Sequence, residues 1–281
     1  MAVNYATKYA SAVDERFRLS ALTTPAVNDS YDWTGAKTVQ VYTIPTVAMS
    51  DYSRTGTARY GTPSELDNTL QELTLAKDRG FAFIIDRGNY NDMAMTNAAG
   101  EALQRQVEEV VIPEIDTYRL SKMATGAGTT KTETVSSSNA YDLFLEACGT
   151  LSDNKVPLEG RVAFVAPAFY KAIKQDGSFV KGSDMAHEML SHGVVGMVDG
   201  VSLIQVPTSY MPEDTTLIMA HPLCTTAPVK LADYKIHDNP PGINGWLIEG
   251  RVYYDAFVLS SKKKGIYIVK NAAVTPDPGQ S

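Results

Sequence analysis

Residues 92–122 limit the possible folds more than any other stretch of the chain. Met95, Ala99, Ala102, Leu103, Val107, Val110, Val111, Ile115 and Tyr118 recur at steps of three and four, the spacing that lines one side of an α-helix. Glu101, Gln104, Arg105, Glu108, Asp116 and Arg119 fall mostly on the other side. Asn91 or Asp92 can accept from the free N–H groups of the first turn, and Gly126 and Gly128 stop the helix at its far end. A helix of that length spans about 45 Å at about 1.5 Å per residue. It exceeds an ordinary core helix and is expected to act as a strut. Pro113 lies inside it. Proline removes one ladder bond and clashes one turn back, so a kink or short break is expected between Glu109 and Pro113.

Upstream lies a segment with no means of burying itself. Residues 37–44 alternate, with Val39, Val41 and Thr43 on one face, and read as a half-buried strand. Residues 69–75 and 81–87 read as two further strands, joined through 76–80, where Asp78 to Gly80 supply tight-turn chemistry. From 50 to 68 the sequence runs S-D-Y-S-R-T-G-T-A-R-Y-G-T-P-S-E-L-D-N, with little to build a core. In a solitary chain this excursion would be a disordered loop; in an assembly it would lie on a neighbour. That choice is the main functional fork in the sequence.

The remaining segments give an α+β reading. Residues 1–36 mix short helical signals with turn formers (Pro25, Asn28, Asp29, Ser30) and suggest an arm laid across another surface. Trp33 is either its anchor or a partly exposed aromatic. Residues 125–138 are rich in Gly, Thr and Ser and read as a linker. An amphipathic helix is expected at 140–151, a buried strand at 161–167 leading into a helix at 168–175, and a short helix at 185–191. A hairpin at 196–206 turns on Asp199-Gly200, and a buried strand follows at 216–220. This alternation suggests a compact α/β unit over about 135–230. Strands dominate beyond 228: a long run at 246–259, a turn at 260–264, a return at 265–270. Lys262-Lys263-Lys264 reads as a solvated turn rather than a nucleic-acid contact. Two lobes result, the second built from the long helix and the C-terminal strands.

Composition narrows the function. The chain has 281 residues, 44% hydrophobic and 20% charged, which is globular rather than disordered. Its net charge of −7 argues against a dedicated nucleic-acid binder, but not against a container for nucleic acid. Cys148 and Cys224 lack metal-type spacing and read as reduced, packed thiols. No apolar run suggests a signal peptide or membrane span, so a soluble protein made in a reducing compartment is expected. His187 and His192 invite a zinc reading, but a zincin helix needs its histidines four apart. Five apart places them about 140° around the helix. Gly193, Gly196 and Gly200 match neither nucleotide-binding loop. Asp86, Asp92 and Asp116 form no evident carboxylate pair, Ser191 beside His192 lacks a nucleophile elbow, and His221 and His237 stand isolated. No catalytic, cofactor-binding or metal site is assembled, and no enzyme is expected.

In the second half, R-V-A-F-V-A-P-A-F-Y-K-A-I-K-Q-D-G (161–177), V-G-M-V-D-G-V-S-L-I-Q-V-P (195–207), I-M-A-H-P-L-C-T-T-A-P-V-K-L (218–231), G-R-V-Y-Y-D-A-F-V-L (250–259) and K-K-K-G-I-Y-I-V (262–269) occur in order. D-Y-S-R (51–54) and L-A-K-D-R-G-F-A-F-I-I-D (75–86) precede the long helix. The series resembles the major capsid proteins of tailed bacteriophages with the Hong Kong 97-type fold, over nearly the whole chain. The resemblance implies a virion shell protein without catalysis or cofactor. It implies an N-terminal arm (1–36), an extended β-hairpin loop reaching over the next subunit (37–90), a peripheral-lobe segment with the spine helix (91–134), an axial lobe (135–230), and a return to the peripheral lobe with a tail (231–281). Implied partners are other copies in hexamers and pentamers of an icosahedral shell, a separate scaffolding protein, a portal, possible decoration proteins and packaged double-stranded DNA bound without sequence preference. No membrane is implied, and assembly would take place in the host cytoplasm. Some relatives join subunits by a lysine–asparagine bond; no such pair is assigned here. An encapsulin-like compartment, which shares the fold, is the alternative.

Overall fold

The computed structural model describes residues 21–28, 31, 33, 37–63, 65–88, 98–176 and 194–272. The expected helix at 185–191, the histidines at 187 and 192, residues 92–97 of the long helix and the C-terminal tail lie outside these.

The long helix is present and bridges two cores. It runs as α1 (Ala98–Gln106), a π-helical turn (Val107–Val111) and α2 (Ile112–Thr125). The expected break is the π turn: Ile112 N–H donates to Val107 O, five residues back, and Pro113 sits in the first turn of α2. Widening the turn relieves the clash a proline ring makes with the carbonyl four residues earlier. The extra residue also shifts the buried face. Leu103 and Val107 are buried as expected, but Val110 is 47% exposed, while Asp116 (1%) and Arg119 (4%) are inside. The helical period alone had placed those three the other way round. Buried positions instead follow a step of four: Leu103, Val107, Val111, Ile115, Arg119, Met123.

The first half of the helix packs on an antiparallel sheet of β3 (Lys77–Asp86), β10 (Val229–Asp238) and β11 (Gly245–Tyr254), in the order β10-β11-β3. Ile248, Val252 and Tyr254 face Leu103, Val107 and Ile115 in one cluster. The expected turn at Asp78 to Gly80 does not form. Those residues lie within β3, opposite Tyr253, Val252 and Arg251, and Arg251 holds Asp78 at 2.6 Å. Pairing along a ten-residue strand outweighs the local turn preference.

The second half of the helix packs on a six-stranded sheet in the order β4-β13-β8-β5-β7-β6. Its strands are β4 (Thr129–Thr132), β5 (Val162–Val165), β6 (Val194–Val198), β7 (Val201–Gln205), β8 (Thr215–Ala220) and β13 (Ile266–Lys270). Successive residues of the inner strands serve two cores. Ala163, Val165, Leu217, Met219, Tyr267 and Val269 pack under α3 (Ala140–Asp153) and α4 (Pro167–Gln175). Val162, Phe164, Ile218, Ala220, Ile266 and Ile268 pack on Leu120 and Met123 of α2. Burial on both faces explains the unbroken apolar runs. Asp199 (φ 49°) and Gly200 (φ 78°) turn the β6–β7 hairpin as expected. The stretch read as a linker contains β4, which pairs in parallel with β13. β13 lies between β4 and β8 and not beside β10 and β11, so the C-terminal segment is shared between the two sheets.

The run expected at 246–259 breaks in two. β11 ends at Tyr254, and β12 (Phe257–Val258) pairs elsewhere, with β9 (Thr225–Thr226).

Candidate assembly surface

Strands β1 (Thr38–Thr43) and β2 (Thr69–Thr74) form an antiparallel hairpin, Thr38 opposite Thr74 and Thr43 opposite Thr69. The residues beyond Thr43 and before Thr69 extend from it without regular strands. Contacts within this segment hold it together: Ser53 N–H donates to Arg59 O at 3.0 Å, Ser50 Oγ to Tyr60 O at 2.8 Å, and Tyr52 meets Tyr60 edge-on at 5.1 Å. Fourteen large apolar side chains stand exposed among the described residues, and eight of them lie between 42 and 70. Ile44 is 71% exposed, Tyr60 85% and Met49 99%. The sequence reading took this stretch as merely polar and missed that row. Burying such surface is worth about 25 cal/mol per Å².

The base of the hairpin, by contrast, is fixed. Val41, Leu73 and Leu75 are buried with Trp33 and Leu259, and Trp33 stacks on Phe257 at 5.7 Å; it is an anchor. Gln71 donates to Val258 O at 3.1 Å and accepts from Ser260 N–H at 2.8 Å. Asp255, 3% exposed, is the joint. Its carboxylate accepts from Ala76 N–H (2.9 Å), Tyr118 O–H (2.7 Å) and Ala256 N–H (2.8 Å). One residue thus ties the exit of the hairpin, the long helix and the break between β11 and β12. Burial, and then the bond to Asp255, push the Tyr118 hydroxyl well above its usual range. A lone acid in the apolar run Y-Y-D-A-F-V-L was the available sequence signal.

A second buried polar joint fastens the N-terminal segment. Asp116 accepts from Thr23 Oγ1 and from the N–H groups of Leu22 (3.0 Å) and Thr23 (3.3 Å). Arg119 donates to Thr23 Oγ1 and Ala227 O, both at 3.2 Å. Burial pushes the Asp116 carboxyl up, against the pull of these donors and of the Arg119 charge. Asn28 continues the attachment, its N–H donating to Thr225 O at 2.9 Å. Residues 22–28 are thereby bonded to α2 and to Thr225.

Several residues weighed for chemistry are among those described. His221 is buried, with Nε2 3.0 Å from Glu159 O and Nδ1 accepting from Leu223 N–H. His237 lies at the surface, 3.2 Å from Glu249. Cys148 and Cys224 are free thiols; burial pushes Cys148 up to about 11. Asp86 accepts from Gly88 N–H, far from buried Asp116. Among the described residues, no group of three or more His, Cys, Asp or Glu side chains could hold a metal ion, and no helix is long and apolar enough to cross a membrane. A hollow of about 520 Å³ over Asp78, Asp233, Lys235 and Arg251 holds charges already paired with one another.

A strut helix joining two sheets, with a fixed hairpin base and an apolar loop held out to solvent, defines a shell-building subunit. Solved structures share the fold. A chain of the head structure of Helicobacter pylori bacteriophage KHP40 superposes with a TM-score of 0.67 at 8% identity, over 90% of each chain. A chain of Mycobacterium phage Che8 gives 0.63 at 16% identity, over 89% of this chain and 90% of that one. The virus-like particle of Pyrococcus furiosus gives 0.58 at 12% identity, over 95% of this chain and 100% of that one. The fold is the Hong Kong 97-type capsid fold. No curated protein matches by sequence. The phage capsid protein family model matches residues 70–269, and the chain belongs to that family. It is a structural, shell-forming major capsid protein, located in the virion capsid and assembling with copies of itself.

Proposed function

We propose that this chain forms the icosahedral head shell of a tailed phage, in hexamers and pentamers around packaged double-stranded DNA. Residues 1–36 act as the arm, 37–90 as the loop lying over the next subunit, and 91–134 as the spine segment of the peripheral lobe. Residues 135–230 form the axial lobe, and 231–281 return to the periphery, lending β13 to the axial sheet. The observation that carries this reading is the exposed apolar row of the loop above a buried, hydrogen-bonded base. A head-to-tail contact of that kind closes into rings when its rotation closes. Expected partners are a scaffolding protein, a portal and decoration proteins, with assembly in the host cytoplasm. A net charge of −7 suits a wall that does not cling to a polyanion.

Deleting residues 49–68 tests the reading. A folded monomer that forms no shells is expected; normal particles would refute the role of the loop. An encapsulin-like compartment is the second reading: the likeness to the virus-like particle of Pyrococcus furiosus, which spans that whole chain, fits a shell of either kind. Purified particles that contain protein cargo and no DNA would establish it instead.

A further inference from the structure

One end of the six-stranded sheet carries a cluster of positive charge. Lys262, Lys263 and Lys264 follow one another on the 3-10 turn Ser260–Gly265, and all are exposed. The turn is pinned: Lys264 O accepts from Asn154 Nδ2 at 3.2 Å, Lys262 N–H donates to Leu259 O at 2.9 Å, and a Cβ on Gly128 would stand 2.5 Å from Lys263 O. The Asn154 bond brings exposed Lys155 alongside. None of these four lysines has an acidic partner among the described residues. Arg79, Arg87, Arg105, Lys131, Lys235 and Arg251 each have one.

The turn Pro222–Cys224 packs on the lysine turn and carries exposed Leu223 (43%); Leu158 (70%) is exposed on the loop before β5. The His221 ring holds their loops together through Glu159 O and Leu223 N–H. Asp153 ends α3 and Glu159 lies in the loop that follows; against four lysines, two acids leave positive charge in excess. Two exposed leucines and a rim of exposed lysines thus belong to loops that are tied to one another.

The complement stands in the extended loop of the same sequence. Leu66 is 55% exposed and is flanked by exposed Glu65 and Asp67. We infer that residues 65–67 of one copy dock on this surface of the next copy. Leu66 meets Leu158 and Leu223, and Glu65 and Asp67 meet the lysine rim. The inference rests on the reading that the loop lies on a neighbour, and it names the receiving site. Surface ion pairs are weak singly; repetition around a closed ring makes them set register and partner choice.

Charge exchange between copies tests it. One variant carries E65K and D67K; the other carries K262E, K263E and K264E. Each alone is expected to need about tenfold more protein to form shells, which corresponds to about 1.4 kcal/mol per contact. An equimolar mixture is expected to recover most of the lost assembly, because in an alternating six-membered ring each reversed loop meets a reversed surface, while a five-membered ring keeps one mismatched contact. A contact within one chain could not be restored by mixing. That control matters because Gln71 bonds Ser260 N–H in the same chain. Wild-type assembly by either variant alone, or a mixture as defective as its parts, would overturn the docking. If a reversal unfolds the subunit by circular dichroism, E65Q/D67N and K262Q/K263Q/K264Q replace it. These should remove the salt dependence of assembly, and an unchanged salt dependence would overturn the docking. If deletion of 49–68 abolishes shells while the reversed variants assemble normally, the loop reading survives and this docking site does not.

Discussion

Asp255→Ala removes the joint between hairpin, helix and the two halves of the last long strand run. Three donors lose their acceptor: Ala76 N–H, Tyr118 O–H and Ala256 N–H. Ala256 is 1% exposed, so its N–H has no water to turn to. An orphaned buried donor costs about 1–3 kcal/mol. Ala76 is exposed and Tyr118 half-buried; their groups can rehydrate and lose about 1 kcal/mol each. The sum is about 3–5 kcal/mol, a large share of an ordinary stability of about 5–15 kcal/mol. Thermal unfolding should shift down by about 10 °C, at about 2–4 °C per kcal/mol. Asp255→Asn is the informative partner. Its one carbonyl oxygen still serves Tyr118 and Ala256, while its amide turns a donor toward Ala76 N–H. It should cost about 1–2 kcal/mol, less than alanine. Urea unfolding of the unassembled subunit, followed by circular dichroism, measures both. An alanine variant within about 0.5 kcal/mol of the wild type, the range of an ordinary surface change, would show that Asp255 is not a joint at all.

Two further expectations follow from the same interior. Val107→Asp, at a position 2% exposed, buries a carboxylate without a partner, so soluble subunit should disappear from expression lysates; soluble, assembling protein would place that face in water. The hydroxyls of Tyr118, Tyr254 and Tyr267 are all raised well above their usual range, by burial first and then by Asp255, Glu114 and Glu146 respectively. A raised folded value favours the protonated form, so this stability is fully present below the unfolded value of about 10 and is lost as pH rises through the folded values. Unfolding free energy should hold steady to about pH 9 and fall above about pH 10; a subunit whose stability does not change beyond that point would contradict it.

Much of the fold was legible in the chain because it rests on short-range regularities. Period three-to-four marked the helix, unbroken apolar runs marked β5 and β8, and Asp199-Gly200 marked its hairpin. Pro113 announced the π turn. The misreadings share one cause: a local preference met a distant partner. Asp78 to Gly80 prefer a turn, yet Arg251 and the β11 backbone, far along the chain, draw them into a strand. The 125–138 stretch looks like a linker, yet β13 supplies a parallel neighbour for Thr129–Thr132.

What the amino-acid order determined alone was the inventory: a strut, a set of strands and a loop with no core. Only the tertiary structure decided which side of the strut faces inward beyond Val111, because one extra residue in a π turn rotates everything after it. Only the tertiary structure could make Asp116 and Asp255 joints, since a carboxylate becomes one when several N–H and O–H groups from remote segments converge on it in a dry place. And it alone showed that the apolar side chains between residues 42 and 70 remain uncovered, because exposure is a property of the whole surrounding chain.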